Sequence, residues 1–210
     1  MKKQLDKIRK PEINMKLSTK IINSASILLL GIALGCFSKG LDNLSINDAI
    51  WWQLILGILD LRNVFSGFSV WICIAVAISV MSKSPLRASL NVFVFFVGMT
   101  TSYHIYSILF SGFNPLSYMM IWYIITLFTP LLAYICWYAK GKGILSLIIS
   151  IGILAVMLFL TLFARIGSTV INVILFLATF GVLHTDKKNT IYNLIGAVVI
   201  AILVYGFQYF

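Results

Sequence analysis

Apolar residues fill the chain in seven long runs that short polar breaks separate. The runs are Ile21–Phe37, Phe65–Met81, Ala88–Phe110, Leu116–Ala139, Ile144–Ala164, Thr169–Leu183 and Ile191–Phe210. Each run is long enough, or nearly so, for a helix to cross a hydrocarbon core of about 30 Å. The pattern therefore predicts an all-α fold, a polytopic transmembrane bundle of about seven spans.

The breaks between the runs contain glycine, proline and polar residues, as at Ser84-Pro85 and Gly141-Lys142-Gly143. None of them is long enough to form a second core. We expect one transmembrane helical domain over residues 21–210, preceded by a basic cytoplasmic tail over residues 1–20. The first run is interpreted as a retained helix and not as a cleaved signal peptide.

Loops that are rich in lysine and arginine alternate along the chain with loops that contain few of them. With the N-terminus inside, thirteen of the sixteen basic residues fall on the cytoplasmic side, and the exceptions are Lys39, Arg62 and Arg165. Basic residues collect in cytoplasmic loops. The pattern predicts a cytoplasmic N-terminus in a multi-pass protein of the cell membrane.

The segment at about residues 45–60, after the first span, predicts a short interfacial helix that lies in the outer interface or dips partly into the membrane. Ser45 and Asp48 have the spacing of a capping box, and Trp51 and Trp52 are typical membrane-interface anchors. The helix is either a lid packed on the bundle or a gate over an outward cavity.

Composition supports a membrane location. Hydrophobic residues make up 60% of the chain and charged residues 10%, with a formal net charge of +10, against roughly 25% charged residues in soluble domains. The predicted partners are the lipid bilayer, anionic lipids at the cytoplasmic face and other membrane proteins. No nucleic acid is expected.

The sequence contains few residues that could carry out catalysis. The six acidic residues all lie outside the predicted spans, which argues against intramembrane proton relays and carboxylate-bound metals. Nucleophile-elbow, zinc-protease and phosphate-loop motifs are absent. Cys36, Cys73 and Cys136 have no CxxC or histidine partner, so we expect free thiols. The sequence predicts no enzyme, no cofactor and no metal.

The third run is the most polar, and it supplies the candidate ligand-binding residues Asn91, Ser102, His104 and Tyr106. Polar side chains at membrane depth face the bundle interior or a wet cavity. His104 is the strongest candidate, because histidine changes charge near neutral pH. The alternative is that these residues form interhelical hydrogen bonds that hold the bundle together.

Two pairs of small residues predict close helix packing. Gly31 and Gly35 form a GxxxG pair in the first run, and Ala197 and Ala201 are spaced alike in the last. Pro130 predicts a kink in the fourth run, with a hydroxyl of Thr126 or Thr129 satisfying the freed backbone group.

Spaced positions between residues 63 and 106 carry a resemblance to a known family. They are Asn63, Trp71, Ala75, Ser82, Ala88, Gly98, Tyr103 and Tyr106. The pattern resembles a family of small bacterial polytopic membrane proteins of unassigned function. The resemblance implies a bacterial origin and a helical membrane fold, and it implies no activity or ligand.

Three functional hypotheses follow. The first is a non-enzymatic accessory or binding membrane protein, which fits the packing pairs and the missing chemistry. The second is a small-solute transporter or the substrate-binding subunit of one, with the third helix lining the site. The third is an intramembrane enzyme.

Overall fold

The structure is a computed structural model that describes residues 2–12, 14–47, 49–164 and 166–207. Within these residues every regular element is helical, which confirms the all-α prediction. The helices are α1 (Lys2–Ile8), α2 (Leu17–Asn43), α3 (Trp51–Ile58), α4 (Leu61–Ser66), α5 (Ser69–Met81), α6 (Pro85–Ser111), α7 (Leu116–Trp137), α8 (Ile144–Leu162), α9 (Ile166–Leu183) and α10 (Lys187–Phe207). A 3₁₀ turn, Tyr138–Lys140, follows α7.

Four helices in the described part of the chain are long and apolar enough to cross a membrane: α2, α6, α7 with its 3₁₀ turn, and α8. Shorter apolar stretches lie in α5, α9 and α10. Each of the seven predicted runs overlaps one of these seven helices. Large apolar side chains also point outward, such as Leu127 and Leu109, which are about 70% exposed. Exposed apolar surface on this scale is typical of a protein that lies in lipid.

The seven helices run in alternating directions. We call the end of the bundle that holds α1 and Arg9 the α1 end, and the opposite end, where α2 and α6 finish, the α3 end. Helices α2, α6, α8 and α10 begin at the α1 end, and α5, α7 and α9 begin at the α3 end.

Glycines bring α2 and α6 into backbone contact. A Cβ atom at Gly31 would overlap the Phe95 carbonyl, and one at Gly35 would overlap the Ser102 hydroxyl. On the opposing helix, a Cβ at Gly98 would lie 2.7 Å from a carbonyl oxygen of α2. Only glycine allows this approach, because any side chain would force the helices apart.

A second packed pair joins α8 to α10. Ala197 is fully buried and belongs to a core cluster with Leu154 of α8, and Ala201 is 2% exposed. Gly196 faces the Ile151 side chain, where an added Cβ would lie 2.6 Å from Ile151 Cδ1. Small residues on α10 therefore let it lie flat against α8.

The N-terminal segment packs onto the bundle. Leu5 and Ile8 contact the cluster formed by Ala88, Trp137 and Tyr138. The predicted tail over residues 1–20 therefore contains a helix that is part of the packed structure. The expected boundary at residue 20 falls inside α2, which begins at Leu17.

The segment after α2 departs from its predicted limits. The helix α3 has eight residues and is flanked by Ile50, so the prediction that a helix begins at Ser45 is wrong. Asp48, the second half of the expected capping box, lies outside the described residues, as does Arg165. Trp51 and Trp52 are 73% and 43% exposed.

The helix α2 continues six residues beyond the predicted span and includes Asp42. The prediction that Asp42 lies in a loop is therefore wrong, because the last turn of α2 carries this carboxylate. One part of the prediction for Pro130 is confirmed, and the kink itself stays a prediction. The Thr129 hydroxyl donates to the Thr126 carbonyl at 2.8 Å and satisfies the acceptor that the proline leaves free.

Candidate functional site

An apolar cavity of about 330 Å³ lies between α5, α6, α7 and α8. Its walls are formed mainly by aromatic and branched aliphatic side chains, among them Phe68, Trp71, Phe96, Trp122 and Ile149. Gly152 of α8 also faces it, with no atom within 4 Å of an added Cβ. The cavity exists because α7 and α8 contact each other far less than α6 and α7 do.

The two side-chain hydroxyls that line this cavity are already bonded. The Ser79 hydroxyl donates to the Ala75 carbonyl at 2.7 Å, and the Thr129 hydroxyl donates to the Thr126 carbonyl. Both bonds stay within their own helices. The cavity therefore presents an apolar surface that suits an apolar guest and repels water.

A column of aromatic rings leads from this cavity toward the α3 end. The ring centroids of Phe68 and Trp122 are 5.4 Å apart, those of Trp122 and Tyr118 are 6.4 Å apart, and those of Tyr118 and Tyr103 are 6.1 Å apart. The rings of Trp122, Tyr118 and Tyr103, with Trp71, line a narrow cleft of about 10 Å³. Trp71 and Trp122 also line the cavity, so the cleft continues from it.

Two charged residues lie at the outer end of the aromatic column. The Tyr103 hydroxyl donates to the Asp42 carboxylate at 2.5 Å. Lys39 is 5% exposed, and its Nζ lies 5.5 Å from the Tyr103 ring centroid and 4.9 Å from that of Phe113. Sequence reasoning assigned Lys39 and Asp42 to a loop. Their spacing from Gly35, one and two helical turns further on, is the signal that would have placed them in α2.

His104 lies at the same end but faces α7. Its Nδ1 is 2.6 Å from the Tyr123 hydroxyl, and its Nε2 is 2.7 Å from Asn114 Oδ1. An amide oxygen only accepts hydrogen bonds, so Nε2 donates to Asn114 Oδ1, and in the neutral ring Nδ1 then accepts from the Tyr123 hydroxyl. His104 is half-buried.

Asn91 belongs to a network near the α1 end. Its Oδ1 accepts from the Ser24 hydroxyl at 3.0 Å and from Arg87 Nη2 at 3.1 Å, and its Nδ2 donates to the Ser82 hydroxyl at 3.2 Å. Thirteen residues of α6, about 20 Å, separate it from His104. Asn91 and His104 therefore cannot contact the same small ligand.

Ser102 and Tyr106 face α2. The Ser102 hydroxyl donates to the Ile32 carbonyl at 3.1 Å. Both residues line a groove of about 380 Å³ between α2 and α6, together with Leu28. The four candidate ligand-binding residues thus lie in three places, and none of them lines the apolar cavity between α5 and α8.

Sequence reasoning missed that cavity. Phe96 and Trp122 look like ordinary core residues in a run of apolar letters, and Gly152 has no motif around it. Among the described residues no group of three histidine, cysteine, aspartate or glutamate side chains is close enough to hold a metal ion.

No known protein family matches the chain, and no curated protein or solved structure is similar to it. The resemblance noted from residues 63–106 stays a prediction.

Proposed function

We propose that the chain is a multi-pass protein of the cell membrane that binds the alkyl chain of a lipid-like molecule, and that it acts by binding and not by catalysis. The apolar cavity between α5, α6, α7 and α8 carries this proposal. Its volume of about 330 Å³ is within the range of small-molecule sites. An alkyl chain that enters it breaks no hydrogen bond, because Ser79 and Thr129 are already paired.

The energetics determine what such a cavity can select. A guest that comes from the bilayer leaves an apolar solvent, so it does not gain the ~0.8 kcal/mol per methylene that burial from water supplies. The gain is packing against the cavity wall, roughly 0.1–0.2 kcal/mol per atom pair. The chain is therefore selected by shape, and discrimination between lipids must come from elsewhere in the ligand.

Seven crossings with a cytoplasmic N-terminus are part of the proposal. The alternation of the seven apolar helices supports it, as does the thirteen-to-three distribution of basic residues. The basic residues at the α1 end would then contact anionic lipids of the cytoplasmic leaflet. A reporter fused after Phe210 should read as external, and a cytoplasmic reading would contradict this topology.

The cavity can be tested by fluorescence quenching with a fatty acid that carries bromine on its alkyl chain. Exposed Trp51 and Trp52 are first replaced by phenylalanine, which leaves Trp71 and Trp122 in the cavity and Trp137 at 1% exposure. We expect the brominated chain to quench the cavity tryptophans in a saturable manner. Bromine quenches at contact, so saturation reports occupancy of the cavity.

A matched pair of variants locates the quencher. Gly152 and Gly181 are both exposed helical glycines with no atom within 4 Å of an added Cβ, and only Gly152 lines the cavity. Gly152→Phe should abolish the saturable quenching, and Gly181→Phe should retain it. Equal quenching in the two variants would refute the cavity as the binding site.

A second candidate function is small-solute transport, and the polar contacts of His104 at the α3 end favour it. If a solute binds there, it should raise the melting temperature of the protein. His104→Ala should remove that effect and Asn91→Ala should not, because Asn91 lies about 20 Å away along α6. Loss in both variants would count against a local site at His104.

A further inference from the structure

Lys39 is a buried cation whose hydrogen-bonding capacity is unused. Its side chain is 5% exposed, and its ammonium contacts the faces of Tyr103 and Phe113. In the described part of the chain no oxygen accepts a hydrogen bond from Nζ and no carboxylate forms an ion pair with it. Two ring faces compensate only part of the cost of burying a charge, which is usually paired with an acceptor.

The neighbouring charged groups are occupied by other partners. The Asp42 carboxylate accepts from the Tyr103 hydroxyl and, at 3.5 Å, from the Ser66 hydroxyl. Arg62 donates to the Leu41 and Leu44 carbonyls at the end of α2. The three donors of the Lys39 ammonium have no such partner and are therefore available to an incoming group.

The ammonium is also within reach of a ligand. Among the described residues, the only side-chain atoms that are both fully enclosed and without a hydrogen-bond partner are the amide oxygens of Asn172 and Asn193. Lys39 Nζ also lacks a hydrogen-bond partner but is not among these fully enclosed atoms. Part of its surface is therefore accessible to a ligand.

The position of Lys39 links it to the apolar cavity. The Tyr103 ring lies beneath the ammonium and also lines the narrow cleft. Trp71 and Trp122 line both the cleft and the cavity. A cation thus lies at one end of an aromatic column and an apolar chamber at the other.

We propose that Lys39 binds the anionic head group of a single-chain amphiphile whose alkyl chain occupies the cavity. This inference rests on the proposed function. It assigns the head group of the ligand, which the apolar cavity does not contact and cannot distinguish. Carboxylate and phosphate heads share the required chemistry, acceptor oxygens with negative charge. The cleft holds about 10 Å³, so the bound chain must part the Tyr103 and Tyr118 rings.

The test compares a brominated fatty acid in its ionised form with its methyl ester, in the quenching assay described above. Wild type should bind the acid about tenfold more tightly than the ester, the size expected for a hydrogen bond to a charged group. Lys39→Gln should remove this preference and leave ester binding unchanged, which also shows that the variant is folded. Lys39→Arg should retain the preference.

A control removes an equal charge from the same helix. Lys20→Gln, at the α1 end of α2, should keep the tenfold preference. A preference that survives in Lys39→Gln, or is missing in wild type, would overturn the assignment of Lys39 and leave the cavity standing. Saturable quenching by neither compound would instead overturn the proposed function together with this inference.

Further arms identify the source of the anion. A brominated alkyl phosphate that binds as the acid does, with the same loss in Lys39→Gln, supports a general anionic head group. If inorganic phosphate raises the melting temperature of wild type but not of Lys39→Gln, while wild type binds the brominated acid and its ester equally tightly, Lys39 holds a free anion. That result would overturn the assignment of head and chain to one ligand.

Discussion

Arg9 joins the ends of two helices that form walls of the cavity. Its Nη1 donates to the Trp137 carbonyl at 2.6 Å, and its Nη2 donates to the Val80 carbonyl at 2.7 Å. The Val80 carbonyl lies in the last turn of α5, and the Trp137 carbonyl lies where α7 passes into its 3₁₀ turn. The guanidinium also lies 4.2 Å from the Trp137 ring centroid. Arg9→Ala should therefore destabilise the protein at the α1 end.

The stability lost in Arg9→Ala is the balance of favourable contacts and the cost of burying the charge. Each hydrogen bond from a charged donor contributes about 1.5–3 kcal/mol, and the favourable helix ends and the ring contact add to it. Burial opposes this and lowers the pKa of Arg9, while the Glu12 carboxylate partly offsets the shift. The guanidinium stays charged at neutral pH. We expect a net loss of about 2 kcal/mol in Arg9→Ala, because Arg9 is only half-buried.

Thermal unfolding in a mild detergent measures this loss. For a chain of this size, about 2 kcal/mol corresponds to a decrease of roughly 4–8 °C in melting temperature. Lys10→Ala is the matched control, because it removes an equal charge from an exposed neighbour. Arg9→Lys should fall between the two, since an ammonium cannot span both carbonyls as the guanidinium fork does. Equal melting temperatures for Arg9→Ala and Lys10→Ala would refute this reasoning.

Two further substitutions test the packing. Gly35→Leu should lower the melting temperature by at least about 6 °C or prevent folding, a loss of at least about 3 kcal/mol, because its Cβ would overlap the Ser102 hydroxyl. The control Gly181→Leu lies in open space and should leave the protein intact, and a stable Gly35→Leu would contradict the close approach of α2 and α6. Trp137→Phe removes the 2.7 Å hydrogen bond from the indole Nε1 to the Ser82 carbonyl. The substitution leaves a buried acceptor unpaired and should lower the free energy of unfolding by about 1–3 kcal/mol. Chemical denaturation would detect this loss as a lower midpoint, and an unchanged midpoint would show that the Ser82 carbonyl finds another donor.

The positions of the helices could be predicted from the sequence, because apolar runs of this length rarely form anything other than a helix. The ends of the helices were less accessible. The first run stops being apolar at Phe37, yet α2 continues to Asn43, where the Lys39 ammonium lies over aromatic rings that come from elsewhere in the chain. Similarly, α5 begins only at Ser69, because Gly67 separates it from α4.

The candidate site was harder to predict, because the role of each residue depends on which other helices its side chain contacts. A polar face on α6 was evident, but the sequence does not reveal that Ser102 meets α2 whereas His104 meets α7. Arg9 looked like one of many basic tail residues until the ends of α5 and α7 were found beside it. The cavity is a gap between helices, and no run of letters encodes a gap.

The most direct test of the central claim is native mass spectrometry of the protein extracted gently from its own membrane. Wild type and Gly181→Phe should carry a bound mass in the range of a single-chain lipid or a phospholipid, and Gly152→Phe should lose it. The same bound mass in all three proteins, or none in any of them, would contradict a lipid-binding role for the cavity between α5, α6, α7 and α8.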